Sequence, residues 1–243
     1  MDPFAAFCQT TPSLCDPAKW TIFLLPQIWA FLGQGLLITI RIATIATIAS
    51  LIFGTLFALA RQSGIRALSV PATAYIETMR ALPVLFMIFF IFFAAARARL
   101  GLSAIDAATL ALTLYTTAIN AEIIRAGILS VDRGQREAAR SLGLGYWSMM
   151  RFVVLPQAFR RIVPPQVGQI ITLIKDTSLV GVLGINELAE SGKLIYTTYF
   201  NPIQALLVVA LIYFAINFSL SRLARRLERS GEAGQRTAAI AAR

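Results

Sequence analysis

Glu77 and Asp176 are carboxylates set inside long apolar runs, and ionisable side chains in such runs are costly and mark candidate binding groups. At about 1.5 Å of rise per residue, Glu77 lies about 17 Å along a helix from Arg66, and Asp176 about 21 Å from Ile162. If the runs cross a bilayer, both carboxylates come near its midplane on different helices. Asn120, Thr117 and Ser178 add an amide and two hydroxyls in similar settings. Together these groups suit an acidic, water-accessible cavity that attracts an ammonium group. They do not suit bond-breaking chemistry: the chain has no His and only two Cys, which excludes a His-based triad and a zinc centre of several His or Cys ligands. No nucleophile–base pair stands out.

Local alternatives stand beside each of these readings. Glu77 and Arg80 are i and i+3, so they share a helix face and can neutralise each other; binding and pairing are equally open for Glu77. Glu122 and Arg125 have the same spacing, and there an ion pair at the helix edge is the better reading. Lys175 and Asp176 point about 100° apart, which makes Asp176 the better binding group. Thr177 and Ser178 can bond back to their own backbone, while Thr116 and Thr117 can serve helix packing. Arg41 is expected to snorkel to an interface. Pro83 should kink its helix, either at a cavity or for packing alone.

The elements that carry these residues follow from composition. Of 243 residues, 57% are apolar and 14% charged, too little charge for an ordinary soluble domain. Five runs are long enough, or nearly so, to cross a bilayer: 35–60, 68–96, 105–124, 167–183 and 202–223. The piece 20–32 is too short, contains Pro26 and two Trp, and is expected to be an interfacial helix. Net charge is +10, but the basic residues fall between the runs, so they act as topology signals and not as a nucleic-acid surface. With the N-terminus outside, fifteen basic residues lie in cytoplasmic segments and four in exterior ones. The positive-inside rule therefore selects N-out, C-in. The expected fold is an all-α polytopic membrane protein of five transmembrane helices with a cytoplasmic coupling helix between the third and fourth spans. Its expected parts are an extracytoplasmic segment 1–33, a membrane domain 34–229 and a disordered tail 230–243. Cys8 and Cys15 fall outside the membrane, where a local disulfide and two free thiols are both open.

The loop 126–165 is the longest between spans and is not low-complexity linker. Glu137-Ala138-Ala139-Arg140-Ser141-Leu142-Gly143 forms a helix with small residues on one side, followed by Tyr146, Trp147, Leu155 and Pro156. Pro156 should stop or turn the chain. Such an element suits protein docking or, alternatively, lying on lipid headgroups. Glu137-Ala138-Ala139, Gly143 and Leu155-Pro156 resemble the EAA loop of ABC importer permeases. The resemblance extends over Gly35 to Arg229 and is similar to the polar amino acid uptake branch. It is carried by Ala121-Glu122-Ile123-Ile124-Arg125-Ala126-Gly127-Ile128, Gly134-Gln135, Leu155-Pro156-Gln157-Ala158, Lys175-Asp176-Thr177-Ser178-Leu179, Glu77 through Pro83, and Leu227-Glu228-Arg229. Where that family usually has Arg-Gly-Thr-Pro or Arg-Asn-Thr-Pro, this chain has Arg80-Ala81-Leu82-Pro83.

The resemblance implies a permease subunit moving a polar amino acid of the glutamate, glutamine or basic class across the bacterial inner membrane. It also implies pairing with a second permease subunit (the same chain or a different one), an ATPase dimer that receives the EAA helix, and an extracytoplasmic amino-acid-binding protein. Membrane lipid is a further partner and nucleic acid is not. On this reading Glu137, Ala138, Ala139, Gly143, Leu155 and Pro156 couple to the ATPase, and Glu77, Thr117, Asn120, Asp176 and Ser178 meet substrate. The chain has no phosphate-binding loop: Gly192-Lys193 is followed by Leu194, and Glu187 stands at the first Gly position. ATP and magnesium therefore belong to the partner, and no cofactor or metal is expected here. A self-contained secondary transporter is the first rival, but no internal repeat is visible and five spans do not halve. A non-transporting scaffold is the second rival, and would need no carboxylate at the midplane.

Overall fold

The computed structural model describes residues 12–241, and every regular element among them is helical. Helix α1 (Pro26–Gln62) is followed by α2 (Arg66–Ala81), α3 (Val84–Arg97), α4 (Ala104–Leu129) and the short α5 (Arg133–Ser141). Helix α6 (Leu155–Asp176), α7 (Leu188–Tyr199) and α8 (Pro202–Ala241) complete the chain. Three helices are long and apolar enough to cross a membrane, and the number reaches five if each of two bent pairs is one span.

Pro26 does not interrupt an interfacial helix, as the sequence reading has it. It is the first residue of α1, where its fixed φ suits a helix start and its missing N–H is no loss. The residues before it form two short 3-10 turns, Pro17–Lys19 and Thr21–Leu24. The buried stripe of α1 runs Ile42, Ala46, Ser50, Gly54, Ala58, every fourth residue and mostly small. Such a stripe lets two backbones approach closely, and α1 packs most extensively against α4. Helix α4 starts on a Ser103 cap that accepts from the Asp106 N–H and donates to its carboxylate. It is the most enclosed of the long helices.

The second expected span is broken rather than kinked. Leu82 and Pro83 are both extended (ψ 139° and 133°), and α2 and α3 meet at 111°. The residue before a proline is steered out of the helical region, and two extended residues in succession turn the chain through a corner. The fourth span also departs from expectation. Pro156 does not stop the chain: a turn at Tyr146–Met149, a π-helical stretch at Met150–Val154 and α6 run on without a break. The π stretch bonds the Leu155 N–H to Met150 O, so the ladder has already shifted register where Pro156 brings no N–H. Pro164 and Pro165 lie inside α6. After Asp176 a 3-10 segment (Thr177–Leu183) ends at Gly184, whose φ of 74° needs glycine's freedom.

Helix α7 has no counterpart in the sequence reading, which leaves 184–201 as an exterior connection. It packs with the start of α1 and with α8 through Phe23, Ile28, Leu32, Leu188, Ile195, Ala205, Val208 and Val209. Glu187 caps it and is fully buried. Its carboxylate accepts from the Ala189 and Glu190 N–H groups, from Thr39 Oγ1–H of α1 and from Tyr213 O–H of α8. Gly35 makes this junction fit, since a Cβ there would stand 3.0 Å from Glu187 O and closer still to Ser191 Oγ. The stretch 230–241, expected to be disordered, continues α8; its alanines, Gln235 and Arg236 favour helix. Of the two cysteines, Cys8 lies outside the described residues, so the local disulfide does as well.

Candidate functional site

The short α5 is bounded by two unambiguous signals. Asp132 caps its start by accepting from the Gly134 N–H at 2.7 Å. At the other end Gly143 N–H donates to Arg140 O and Leu144 N–H to Ala139 O, the paired bonds of a Schellman stop. Gly143 has φ of 77° and open space around its Cβ position. Its smallness therefore serves backbone conformation and not close approach. Glu137 and Ala138 are exposed, whereas Ala139 is 3% exposed and packs with Val131, Met149, Val154 and Ala158. Beside them Leu142 and Trp147 are 81% and 82% exposed. Leu155 and Pro156 follow at the start of α6, both exposed. An apolar rim around a short capped helix is a protein-docking geometry.

A second site lies between α1, α4 and α6. Thr47, Ser50, Thr116, Asn120, Gln166 and Gln169 line a cavity of about 10 Å³ of room for a water's centre, enough for one water. Among the described residues, Thr116 Oγ1, Asn120 Oδ1, both amide atoms of Gln166 and Gln169 Nε2 are buried with no hydrogen-bond partner. Buried polar groups are nearly always paired, so this cluster of unmet donors and acceptors marks a place where a polar guest belongs. No charged side chain lines it. At Thr47 and Ile170 the cavity adjoins an apolar groove of about 170 Å³ between α1 and α6.

The structure sorts the sequence-derived residues differently from one another. Asn120 is in the cavity wall. Thr117 is one helical turn away, buried, with its hydroxyl unpartnered among the described residues, beside Tyr75, whose O–H donates to Leu114 O. Asp176 follows Gln169 by seven residues, two turns and about 10 Å along the same face of α6. Ser178 donates to Lys175 O, the backbone alternative. Glu77 is not paired with Arg80: its partner is Arg61 of α1 at 2.8 Å. Arg61 also bonds Glu122 at 3.0 Å, and Glu122 pairs closely with Arg125. Glu77 thus meets the last turn of α1 rather than lying a half-bilayer from it. Gln166, Gln169, Thr47 and Ser50 had no place in the sequence reading. Gln166 and Gln169, spaced i and i+3 at the edge of the weakest apolar run, were the available signal.

The four-residue ion chain ties α1, α2 and α4 together. Arg61 and Glu122 are each 21% exposed, and removing one partner of a largely desolvated pair leaves a charge unmatched. Glu122→Gln is expected to destabilise the folded chain by about 1–2 kcal/mol, read as a fall of about 4 °C in the unfolding midpoint in detergent. An unchanged midpoint would mean that the chain is only surface decoration.

A bundle of helices, three to five of them or their bent pairs long and apolar enough to cross a membrane, is that of a multi-pass membrane protein. Residues 66–230 match the family model described as binding-protein-dependent transport system inner membrane component, and the chain belongs to that family. The probable glutamine ABC transporter permease protein GlnP of Bacillus subtilis (strain 168) is 46% identical over 204 residues, covering 82% of this chain and 93% of that one. The glutamate transport system permease protein GluD of Corynebacterium glutamicum is 37% identical over 224 residues, covering 90% and 82%. A crystal structure of an amino acid ABC transporter with histidines superposes with a TM-score of 0.80 at 31% identity, covering 84% of this chain and 95% of that one. The protein is a polar amino acid ABC importer permease: a multi-pass translocation component that acts with an ATPase partner.

Proposed function

We propose that this permease carries a neutral carboxamide amino acid, L-glutamine, and that the α1–α4–α6 cavity is its station in the membrane. The supporting observation is the lining. Six uncharged polar side chains surround the cavity, with unmet amide donors and acceptors side by side. A carboxamide carries two N–H donors and one acceptor and answers that set, whereas a guanidinium or a side-chain carboxylate would be desolvated with no opposite charge. The glutamine permease relative points the same way. Asp176, two turns along, takes the α-ammonium, and Thr117 and Ser178 lie on the path. An amino acid does not fit 10 Å³, so α1 and α6 separate to admit it and close after it leaves.

The remaining assignments are those of the fold and its partners. The bent pairs each count as one span, which makes five spans with the N-terminus outside and the C-terminus in the cytoplasm of a bacterial inner membrane. Two permease subunits, identical or not, stand over an ATPase dimer that holds α5 and its rim of Leu142, Tyr146 and Trp147. An extracytoplasmic binding protein delivers the amino acid. Gln169→Ala is expected to lower glutamine uptake about tenfold in proteoliposomes holding the whole complex, the loss of one or two hydrogen bonds. ATPase stimulation by the liganded binding protein should remain. Equal uptake by this variant, or arginine carried as readily as glutamine by the unaltered permease, would refute the assignment.

A further inference from the structure

The Asn120 carboxamide has one unmet atom and one that is held, and the holder is Ser50. The Ser50 hydroxyl donates to Thr47 O one turn back on α1, at 3.1 Å. With its single proton committed there, the Ser50 oxygen can only accept. Asn120 Nδ2 donates to it at 3.0 Å. A planar amide that turns its NH₂ to Ser50 turns its oxygen the other way, and Asn120 Oδ1 is the atom left buried and unpartnered in the cavity wall. Both side chains are out of bulk solvent, Ser50 at 0% and Asn120 at 3%. Gly54, one turn beyond Ser50, brings the two backbones near enough for this bond. A Cβ there would stand 2.8 Å from Asn120 Cβ and 3.1 Å from Ala121 N.

We infer that Ser50 is a positioning residue for substrate selection: it fixes the Asn120 carboxamide so that the cavity offers an acceptor to an incoming N–H group. The inference rests on the cavity being the substrate station proposed above. The opposite amide orientation would present donors and favour a carboxylate. Orientation therefore decides between two amino acids of nearly equal shape, L-glutamine and L-glutamate, through a hydroxyl whose own proton is committed to Thr47 O.

The test is equilibrium binding of radiolabelled L-glutamine and L-glutamate to the permease–ATPase complex in nanodiscs, for the unaltered chain and for Ser50→Ala, Ser50→Thr and Asn120→Ala. Ser50→Ala frees the amide to rotate. It should weaken glutamine binding about fivefold, the order of one hydrogen bond, and narrow the glutamine-to-glutamate preference by at least as much. Ser50→Thr keeps the hydroxyl and should keep the preference. If Ser50→Ala does not assemble, Ser50→Cys retains the volume with a weaker acceptor and should give an intermediate preference. A preference unchanged in Ser50→Ala and Ser50→Cys, or both amino acids weakened equally, overturns the positioning role while leaving the cavity intact. Glutamine bound equally well by Asn120→Ala overturns the cavity reading and this inference with it.

Discussion

Gly143→Val should abolish ATP-driven uptake, by a hundredfold or more, in a permease that still inserts and still carries its ion chain. Gly143 holds φ of 77° at the stop of α5, and a β-branched residue there is a genuine conformational outlier. About 1–2 kcal/mol of strain exceeds what a nine-residue helix with one Asp cap can absorb, so the Gly143 and Leu144 bonds to Arg140 O and Ala139 O are lost. With them goes the placement of Leu142 relative to Tyr146 and Trp147. Gly143→Asn is the informative companion, because asparagine tolerates the left-handed region and should retain at least a third of normal uptake. The measurement is uptake alongside ATP hydrolysis in proteoliposomes: hydrolysis that persists without transport in the valine variant marks a broken linkage. If asparagine fails as badly as valine, the small size of Gly143 matters after all, against its open surroundings.

Gly54→Leu should be the second severe variant, and for a different reason. The space beside Gly54 is filled by Asn120 Cβ at 2.8 Å, Ala121 N at 3.1 Å and Thr117 O at 3.2 Å. Two of those atoms are backbone, so no side chain can swing aside, and α1 must move off α4. The move unseats Ser50 from Asn120, opens the small-residue stripe of α1 and loosens the Arg61–Glu122 pair below it. Overpacking of this kind costs about 1–3 kcal/mol. Uptake is expected to fall more than a hundredfold, with an unfolding midpoint several degrees lower. Gly33→Leu is the control: nothing lies within 4 Å of a Cβ at Gly33, and transport should be unaffected. Normal uptake by Gly54→Leu would show that the α1–α4 contact tolerates separation.

What could be read from the bare sequence was whatever depends on neighbours a few residues apart. Glu122 with Arg125 is an i,i+3 pair, and the structure forms it. Glu137, Ala138 and Ala139 announced a helix, and it is present; Gly143, read there as part of its small-residue face, is instead its stop. The same local logic failed at Glu77, where Arg80 was near in sequence but Arg61 was nearer in space. Nothing in spacing could disclose that α2 and α3 meet at 111°, because the corner at Leu82 and Pro83 fixes a direction in three dimensions and hydropathy carries none. The cavity escaped notice for a related reason. Ser50, Asn120, Gln166 and Gln169 come from three helices, and each alone is an ordinary polar residue in a membrane segment. Helix α7 was hidden by its polar first turn, since Glu187 and Glu190 suggest a loop until Thr39 and Tyr213 are seen to reach the buried Glu187 carboxylate.

The uninterrupted run from Tyr146 to Asp176 is about 45 Å long, with Trp147 at one end and Gln166, Gln169 and Asp176 toward the other. A stiff beam of that length pivoted near one end amplifies angle into distance: a tilt of about 10° shifts the opposite end by about 8 Å, a little more than the width of an amino acid. Pro156, Pro164 and Pro165 bring no N–H to its ladder, yet the helix runs on through all three. On the coupling proposed above, movement of the aromatic tip reaches the glutamines through one continuous helical run.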